Sequence, residues 1–201
     1  MSIDLSLVKS LNLQDAFKEE GVIQRIAADD DYLEELFEHS NRATLMIHDD
    51  EELGHSCFVT DTKGLGSDKV LVVWNGSHGD AFLMHIDGVL FTDKSKCDCA
   101  LVSAKEFDFI EFKSEAANKT EASREFQYDK CYNQLKTTVE SFDKHYSEAG
   151  EDFRKKFNSF RAFGVFNPTV PKDSASLKNL SIKFLKEVKI PLKFTNKTKL
   201  G

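Results

Sequence analysis

Proline and long apolar runs are scarce in this chain of 201 residues. Only three prolines occur, all after residue 167, so the preceding part of the chain lacks the strongest structure breakers and contains no Pro- or Gly-rich linker. The chain has neither a run of about 18 apolar residues nor a signal-peptide pattern, which predicts a cytoplasmic protein with no membrane partner. Its length predicts a single domain with a sizeable core.

Several catalytic and metal-binding motifs are also absent. The four cysteines, Cys57, Cys97, Cys99 and Cys131, have neither the density of a disulfide scaffold nor the paired spacing of a zinc site, which predicts reduced and mostly buried thiols. No Gly-x-Ser-x-Gly segment occurs to carry a serine nucleophile. Residues 76–80 (GSHGD) lack the pattern of a phosphate loop and predict a turn.

Charge is distributed unevenly along the chain. The formal net charge of -7 divides into -15 for residues 1–150 and +8 for residues 151–201. The basic segment could follow a phosphate backbone despite the acidic total. A solvated face that complements the acidic part of the chain explains the same pattern equally well.

Hydrophobic periodicity predicts a mixed α/β fold. Short helical patterns occupy residues 4–28, and an N-cap cluster at 29–31 precedes a helix predicted at 32–46. Further helices are predicted at 121–150, 152–159 and 176–188. Strands are predicted at 55–60, 69–75, 81–91, 97–103, 107–113, 160–166 and 190–195. This order predicts a central mixed sheet flanked by helices.

The strand at 107–113 (FDFIEFK) carries charge on one side only. Side chains two residues apart share a face, so Glu111 and Lys113 point the same way. Burying them among aromatic neighbours costs several kcal/mol without partners or a metal. A hairpin with the preceding strand would bring Asp98 beside Glu111, and two carboxylates suit Mg²⁺, with Mn²⁺ as a substitute. A cross-strand salt bridge is the structural alternative.

Asp98 followed, after twelve residues, by Glu111-Phe112-Lys113 resembles the signature of the PD-(D/E)XK, or restriction-endonuclease-like, nuclease superfamily. Cys97 stands where that signature has proline. The resemblance implies a nuclease core at about 30–167, with an N-terminal helical segment at 1–28 and a basic helix-strand extension at 168–201. It places the Asp on the second core strand and the Glu-x-Lys on the third, with Asp98, Glu111 and Lys113 as catalytic residues.

The resemblance also implies contributions from two helices. The helix after the catalytic strand often supplies a polar side chain near the metal water, and Gln134 is preferred here over Tyr132 and Lys136. The first core helix often adds a glutamate to the metal, and Glu38 is preferred over Glu34 and Glu35, although the sequence does not choose among them. His78 and His85 are further candidate metal ligands, with surface or core roles as the more common alternative.

These features predict a Mg²⁺-dependent nuclease that cleaves phosphodiester bonds, with DNA favoured over RNA. The lack of a recognisable DNA-reading module suggests a partner, such as an ATPase or regulatory subunit of a defence or repair complex, or a homodimer. The alternatives are a non-catalytic interaction module on the same fold and an RNA-directed nuclease.

Overall fold

The computed structural model describes residues 5–25, 32–66, 69–92, 95–113, 120–167 and 174–201. The helices in these ranges are α1 (Ser6–Lys9), α2 (Leu13–Ala16), α3 (Gly21–Arg25), α4 (Tyr32–Leu36), α5 (Glu121–Glu148) and α6 (Ala175–Val188). The strands are β1 (Phe37–Ser40), β2 (Thr44–Asp50), β3 (His55–Val59), β4 (Val70–Trp74), β5 (Ala81–His85), β6 (Cys99–Ser103), β7 (Glu106–Lys113), β8 (Ser159–Phe166), β9 (Leu192–Phe194) and β10 (Lys197–Lys199).

The strands form two mixed sheets. The larger sheet has the order β1-β5-β6-β7-β8-β9, antiparallel from β1 to β7 and parallel from β7 to β9. The smaller sheet has the order β10-β4-β2-β3, in which only the β10-β4 pair is parallel. The predicted mixed α/β class is confirmed, although the sequence indicated one sheet where the structure has two.

Two apolar cores cover the two faces of the larger sheet. One core packs α1 to α6 against one face, and Phe82, Val102 and Phe109 of that sheet belong to it. The other core lies between the two sheets and contains Leu83 and Ile110 together with residues of β2 and β4. All eight residues of β7 are buried, as expected for a strand covered on both faces.

The long helix α5 forms as its periodicity predicts. Its buried face repeats at three and four residues, through Tyr128, Cys131, Leu135, Val139, Phe142 and Tyr146. The Thr120 side chain caps its first turn by accepting a hydrogen bond from the Ser123 amide. The helix therefore lies along the larger sheet and contacts β7 and β8.

The basic C-terminal segment takes part in both sheets. After α6, β9 pairs with β8 at the edge of the larger sheet, and β10 pairs with β4 at the edge of the smaller one. None of the helices in the described ranges is long and apolar enough to cross a membrane.

The predicted helix at 32–46 is wrong beyond Leu36. Residues Phe37–Ser40 pair with β5, and Thr44–Asp50 pair with both β3 and β4. Leu45 and Ile47 alternate into the core between the sheets, and this period of two fits a strand. The predicted N-cap cluster at 29–31 lies outside the described residues.

Other boundaries differ by smaller amounts. The predicted helix at 152–159 is a single 3-10 turn, Phe153–Lys155, and β8 already begins at Ser159. The predicted strand at 81–91 ends at His85, and a turn follows it. The strand predicted from residue 97 begins at Cys99, so Asp98 immediately precedes β6. Strand β10 was not predicted.

Candidate metal centre

Glu111 and Lys113 occupy the C-terminal end of β7. Glu111 has no solvent exposure, and the Lys113 ammonium donates a hydrogen bond to Glu111 Oε1. Glu111 Oε2 is buried and has no hydrogen-bond partner. Glu111 and Lys113 therefore form an ion pair within one strand, not the cross-strand salt bridge of the alternative, and this pair leaves one carboxylate oxygen unsatisfied.

The residues around Glu111 pack closely. Gly164 of β8 lies opposite Glu111, and a Cβ at Gly164 would come within 2.9 Å of Cys131 Sγ and 2.7 Å of the Phe194 ring. Glycine at this position therefore lets α5 and β9 approach the strand closely. A carboxylate in such surroundings is costly unless positive charge reaches it.

Asp98 lies at the end of the β6-β7 pairing, next to Cys99. Cys99 pairs with Ile110, so the next residues along the two antiparallel strands are Asp98 and Glu111. Asp98 precedes the first paired residue of β6, and its carboxylate is near enough for its charge to act on Glu111. The Phe112 amide donates a 2.6 Å hydrogen bond to Asp98 Oδ2 and fixes the side chain at this end of the sheet.

Asp49 is a third carboxylate at this site, and the sequence analysis missed it. It lies on β2 in register with Ser56, and its negative charge acts on both Asp98 and Glu111. The alternation of Leu45, Ile47 and Asp49 toward the larger sheet is the signal that would have found it. That signal was hidden because residues 44–46 were assigned to a helix.

Every ionisable group at the site holds its proton more tightly than usual. Burial and the Asp49 carboxylate raise the pKa of Asp98 to about 7. Burial and Asp98 raise the pKa of Glu111, and burial raises that of Asp49. Burial opposes the charge of Lys113, but the Glu111 carboxylate outweighs it and raises the pKa of Lys113. The site is therefore short of positive charge, and Lys113 is a cation.

Gln134 lies near this site but contacts the backbone. Its Nε2 donates a 2.9 Å hydrogen bond to the Lys96 carbonyl, two residues before Asp98. One turn further along α5, Thr138 Oγ1 accepts a 2.7 Å hydrogen bond from the Cys97 amide. These two contacts make α5 the support that positions the segment leading to Asp98.

The two side chains that were weighed against Gln134 bind elsewhere. Tyr132 and Lys136 both donate to Glu187 Oε2 on α6, at 2.8 and 2.7 Å. They join the two helices, and Gln134 is the one of the three that reaches the strand carrying Asp98.

Glu38 does not lie on a helix, so the structural basis for choosing it was wrong. It lies on β1 opposite Leu83, and the Phe58 amide donates a 2.9 Å hydrogen bond to its Oε2. Glu34 and Glu35 are on α4 and are exposed, and Glu35 pairs with Arg25. Glu38 instead belongs to a separate cluster with His55 and His85, whose ligand atoms lie within 4.8 Å of one another.

The two histidines named from the sequence differ in their surroundings. His78 is exposed in a turn with φ of 51°. His85 is 3% exposed, and burial together with His55 lowers its pKa to about 4, which keeps the imidazole neutral. The two residues after His85 donate their amides to the Asp98 carbonyl, so this strand does lie beside Asp98.

A second buried ionic cluster occupies the opposite end of β7. Arg161 of β8 binds Asp108 through two hydrogen bonds, of 2.7 and 2.5 Å, and Glu106 through a third of 2.8 Å. Its Nη1 also donates to the Lys199 carbonyl at 3.0 Å. These carboxylates have a direct cationic partner, which gives them a structural explanation.

The remaining expectation about the cysteines is confirmed. Cys57, Cys97, Cys99 and Cys131 are all free and buried. Burial raises the pKa of Cys97, Cys99 and Cys131, so these thiols stay protonated.

Comparison of the chain with protein-family models, with curated proteins and with solved structures gives no match. The resemblance to PD-(D/E)XK nucleases therefore stays a prediction from Asp98, Glu111 and Lys113.

Proposed function

We propose that the protein is a Mg²⁺-dependent nuclease whose site is formed by Asp98, Glu111, Lys113 and Asp49. One observation carries the proposal: the fully buried Glu111 carboxylate has an oxygen without a hydrogen-bond partner, next to Asp98 and Lys113. Buried polar atoms are almost always satisfied, so an unsatisfied carboxylate oxygen needs an explanation. A metal ion supplies one.

The charge of the site supports the same conclusion. When all three carboxyl groups are ionised, the single ammonium leaves an excess of two negative charges, which a divalent cation balances. Burial raises the pKa values of the three carboxyl groups, and the neighbouring carboxylates raise those of Asp98 and Glu111 further. Carboxylate oxygens from only two or three residues suit Mg²⁺, which retains several waters and accepts phosphate oxygens.

Each side chain has a role in this proposal. Asp98 and Glu111 hold the ion, and Asp49 adds negative charge that strengthens its binding. A divalent ion bound there supplies positive charge against the phosphate and lowers the pKa of a water. Because Lys113 remains charged, it orients the attacking water or the phosphate as a hydrogen-bond donor and does not remove a proton.

The C-terminal segment supports a polyanionic substrate. It carries exposed lysines on and after α6, at Lys183, Lys186, Lys189, Lys193, Lys197 and Lys199. Such side chains can neutralise phosphates and offset the acidic total charge of the protein. We propose DNA as the substrate, recruited alone or with a protein partner such as an ATPase subunit.

Cleavage and metal binding should be measured together on the full chain. Supercoiled DNA, linear DNA and RNA are incubated with Mg²⁺ or Mn²⁺, and Mn²⁺ binding is measured by calorimetry. We expect Glu111→Gln and Asp98→Asn to lower both metal affinity and cleavage, the latter by at least about a hundredfold. Lys113→Met should lower cleavage by a similar factor while the protein still binds the ion.

Glu148→Gln is the matched control, because this exposed carboxylate lies at the far end of α5. It should leave cleavage and binding unchanged. If the protein cleaves RNA but not DNA, the proposed site stands and the proposed substrate is wrong. Undiminished cleavage in the Glu111 and Lys113 variants, or a wild type that neither binds Mn²⁺ nor cuts any substrate, would overturn the proposal.

A further inference from the structure

We propose that Glu38, His55 and His85 bind one Zn²⁺ ion where the edge strand of the smaller sheet lies against the larger sheet. The three residues come from β1, β3 and β5. One ligand atom from each lies within 4.8 Å of the other two. This site is separate from Asp98 and Glu111, and it does not depend on the nuclease proposal.

The spacing of the ligand atoms fits a small ion. His85 Nε2 lies 3.7 Å from Glu38 Oε1, which is too far for a hydrogen bond. Two ligands of a tetrahedral ion with bonds near 2.1 Å lie about 3.4 Å apart. The imidazole rings of His55 and His85 have their centroids 4.3 Å apart, so both nitrogens can approach the same point.

The surroundings of His85 point to a missing partner. The side chain is 3% exposed, and its Nδ1 is buried without a hydrogen bond. Its Nε2 faces the Glu38 carboxylate beyond hydrogen-bonding distance. Coordination to an ion would give Nε2 the partner that the 3.7 Å separation from Glu38 does not provide. The Ser56 backbone also acts on this imidazole and helps to orient it.

The other two ligands, His55 and Glu38, are each oriented by a contact of the side-chain atom that would not bind the metal. His55 Nδ1 lies 3.2 Å from the Ser56 carbonyl, so Nε2 remains for the metal. Glu38 Oε2 accepts a 2.9 Å hydrogen bond from the Phe58 amide, so Oε1 remains. Ligand side chains in metal sites are typically held in this way by contacts outside the coordination sphere.

The chemistry of the donors selects the type of ion. Two imidazoles and one carboxylate suit Zn²⁺, whereas Mg²⁺ prefers oxygen ligands. Three protein ligands leave a fourth position for water or another ligand. Because the ligands come from both sheets, the ion would join them, next to the segment whose amides bind the Asp98 carbonyl.

A neighbouring trio, His48, Asp50 and Cys57, is the weaker candidate. Asp50 Oδ1 already accepts hydrogen bonds from the Glu52 and Leu53 amides, which explains Asp50 as a turn residue. Burial and the Glu38 carboxylate raise the pKa of the Cys57 thiol to about 11, and a protonated thiol is a poor ligand.

The test uses the full chain after treatment with a chelator. Calorimetric titration with ZnCl₂ should give one tight site, and Co²⁺ should give the visible spectrum of a four-coordinate ion. We expect Zn²⁺ at about a hundredfold above its Kd to raise Tm by roughly 5–10 °C. His85→Asn and Glu38→Gln should each weaken this binding by roughly a hundredfold or more and remove the Tm shift.

Three controls distinguish this site from others. His39→Asn changes the neighbour of Glu38 on β1, whose ring pairs with Asp80, and should leave Zn²⁺ binding intact. Cys57→Ser and Glu111→Gln should also leave it intact. The proposal is wrong if wild type binds no Zn²⁺, or if binding survives in both His85→Asn and Glu38→Gln. Circular dichroism of each variant without metal establishes that it folds.

Discussion

The two ends of β7 bury the same kinds of residues in opposite electrostatic conditions. At the N-terminal end, Glu106 and Asp108 share the guanidinium of Arg161, which binds both of them. At the C-terminal end, Glu111 has only Lys113, while Asp98 and Asp49 add negative charge. One end has a direct cationic partner for its acids, and the other lacks positive charge.

The difference shows how to separate a structural ion pair from a candidate functional site on one strand. Burial alone does not distinguish the two ends, because every residue of β7 is buried. What distinguishes them is whether each charged atom has a partner. Within the described residues of β7, Glu111 Oε2 is the buried carboxylate oxygen that has no hydrogen-bond partner.

The largest effect on stability is expected from removing Arg161, the cation at the N-terminal end of β7. Arg161→Met leaves Asp108 and Glu106 buried without their partner, which should lower the free energy of unfolding by about 3–5 kcal/mol. Urea denaturation followed by circular dichroism measures it. Arg154→Met removes a more exposed pair with Asp143 and should cost about 1 kcal/mol or less. Equal costs for the two variants would contradict the distinction.

A smaller effect is expected from pH at the unsatisfied end. The pKa of Asp98, raised to about 7, means that its proton competes with a metal ion below that pH. Loss of the Asp98 proton should therefore raise the affinity for Mg²⁺ by about tenfold per pH unit up to about pH 7, and the raised pKa of Glu111 adds to this rise. The charged groups that act on Asp98 are Asp49, Lys113, Asp87 and Glu111.

In the metal-free protein, folding stability changes with pH in the direction opposite to Mg²⁺ affinity. A raised carboxyl pKa stabilises the folded state below the unfolded pKa, and that contribution is lost as pH rises toward 7. The stabilisation by Mg²⁺ should thus grow between pH 6 and 8, and thermal unfolding at each pH measures it. Asp98→Asn should flatten the profile, and an unchanged profile in that variant would assign the titration to another group.

The smallest effect is expected from neutralising the unsatisfied carboxylate. Glu111→Gln removes a buried charge while Asp98 and Asp49 remain near Lys113, so metal-free stability should stay the same or rise by up to about 1 kcal/mol. Denaturation without metal measures it. A loss of more than about 2 kcal/mol would show that Glu111 is structural, as Arg161 is.

The sequence pattern predicted secondary structure correctly where one hydrophobic periodicity continues over many residues. Helix α5 formed close to its predicted position, because its buried face repeats at three and four residues. Strands β3, β4, β7 and β8 formed at their predicted positions from short apolar runs. The strands β6 and β7 also pair as expected, since a short turn between adjacent strands leaves few registers.

The helix predicted at 32–46 was wrong beyond its first turns, because the residues that follow pair with strands distant in the sequence. Strand β1 forms by pairing with β5, which lies more than forty residues later in the sequence. Strand β2 pairs with β3 on one side and with β4 on the other. A helix of five residues such as α4 is not stable alone, so packing decides where it ends. This error moved Glu38 to the wrong element and hid Asp49.

The sequence by itself determined the strand that carries Glu111 and Lys113, its charged face, and the helix that covers it. Tertiary structure decided which acids have cationic partners, because Arg161, Asp49 and Glu38 lie on strands far apart in the chain. Periodicity is a local property, whereas the partner of a buried charge depends on register and sheet order. The difference between the two ends of β7 therefore appears only in the folded protein.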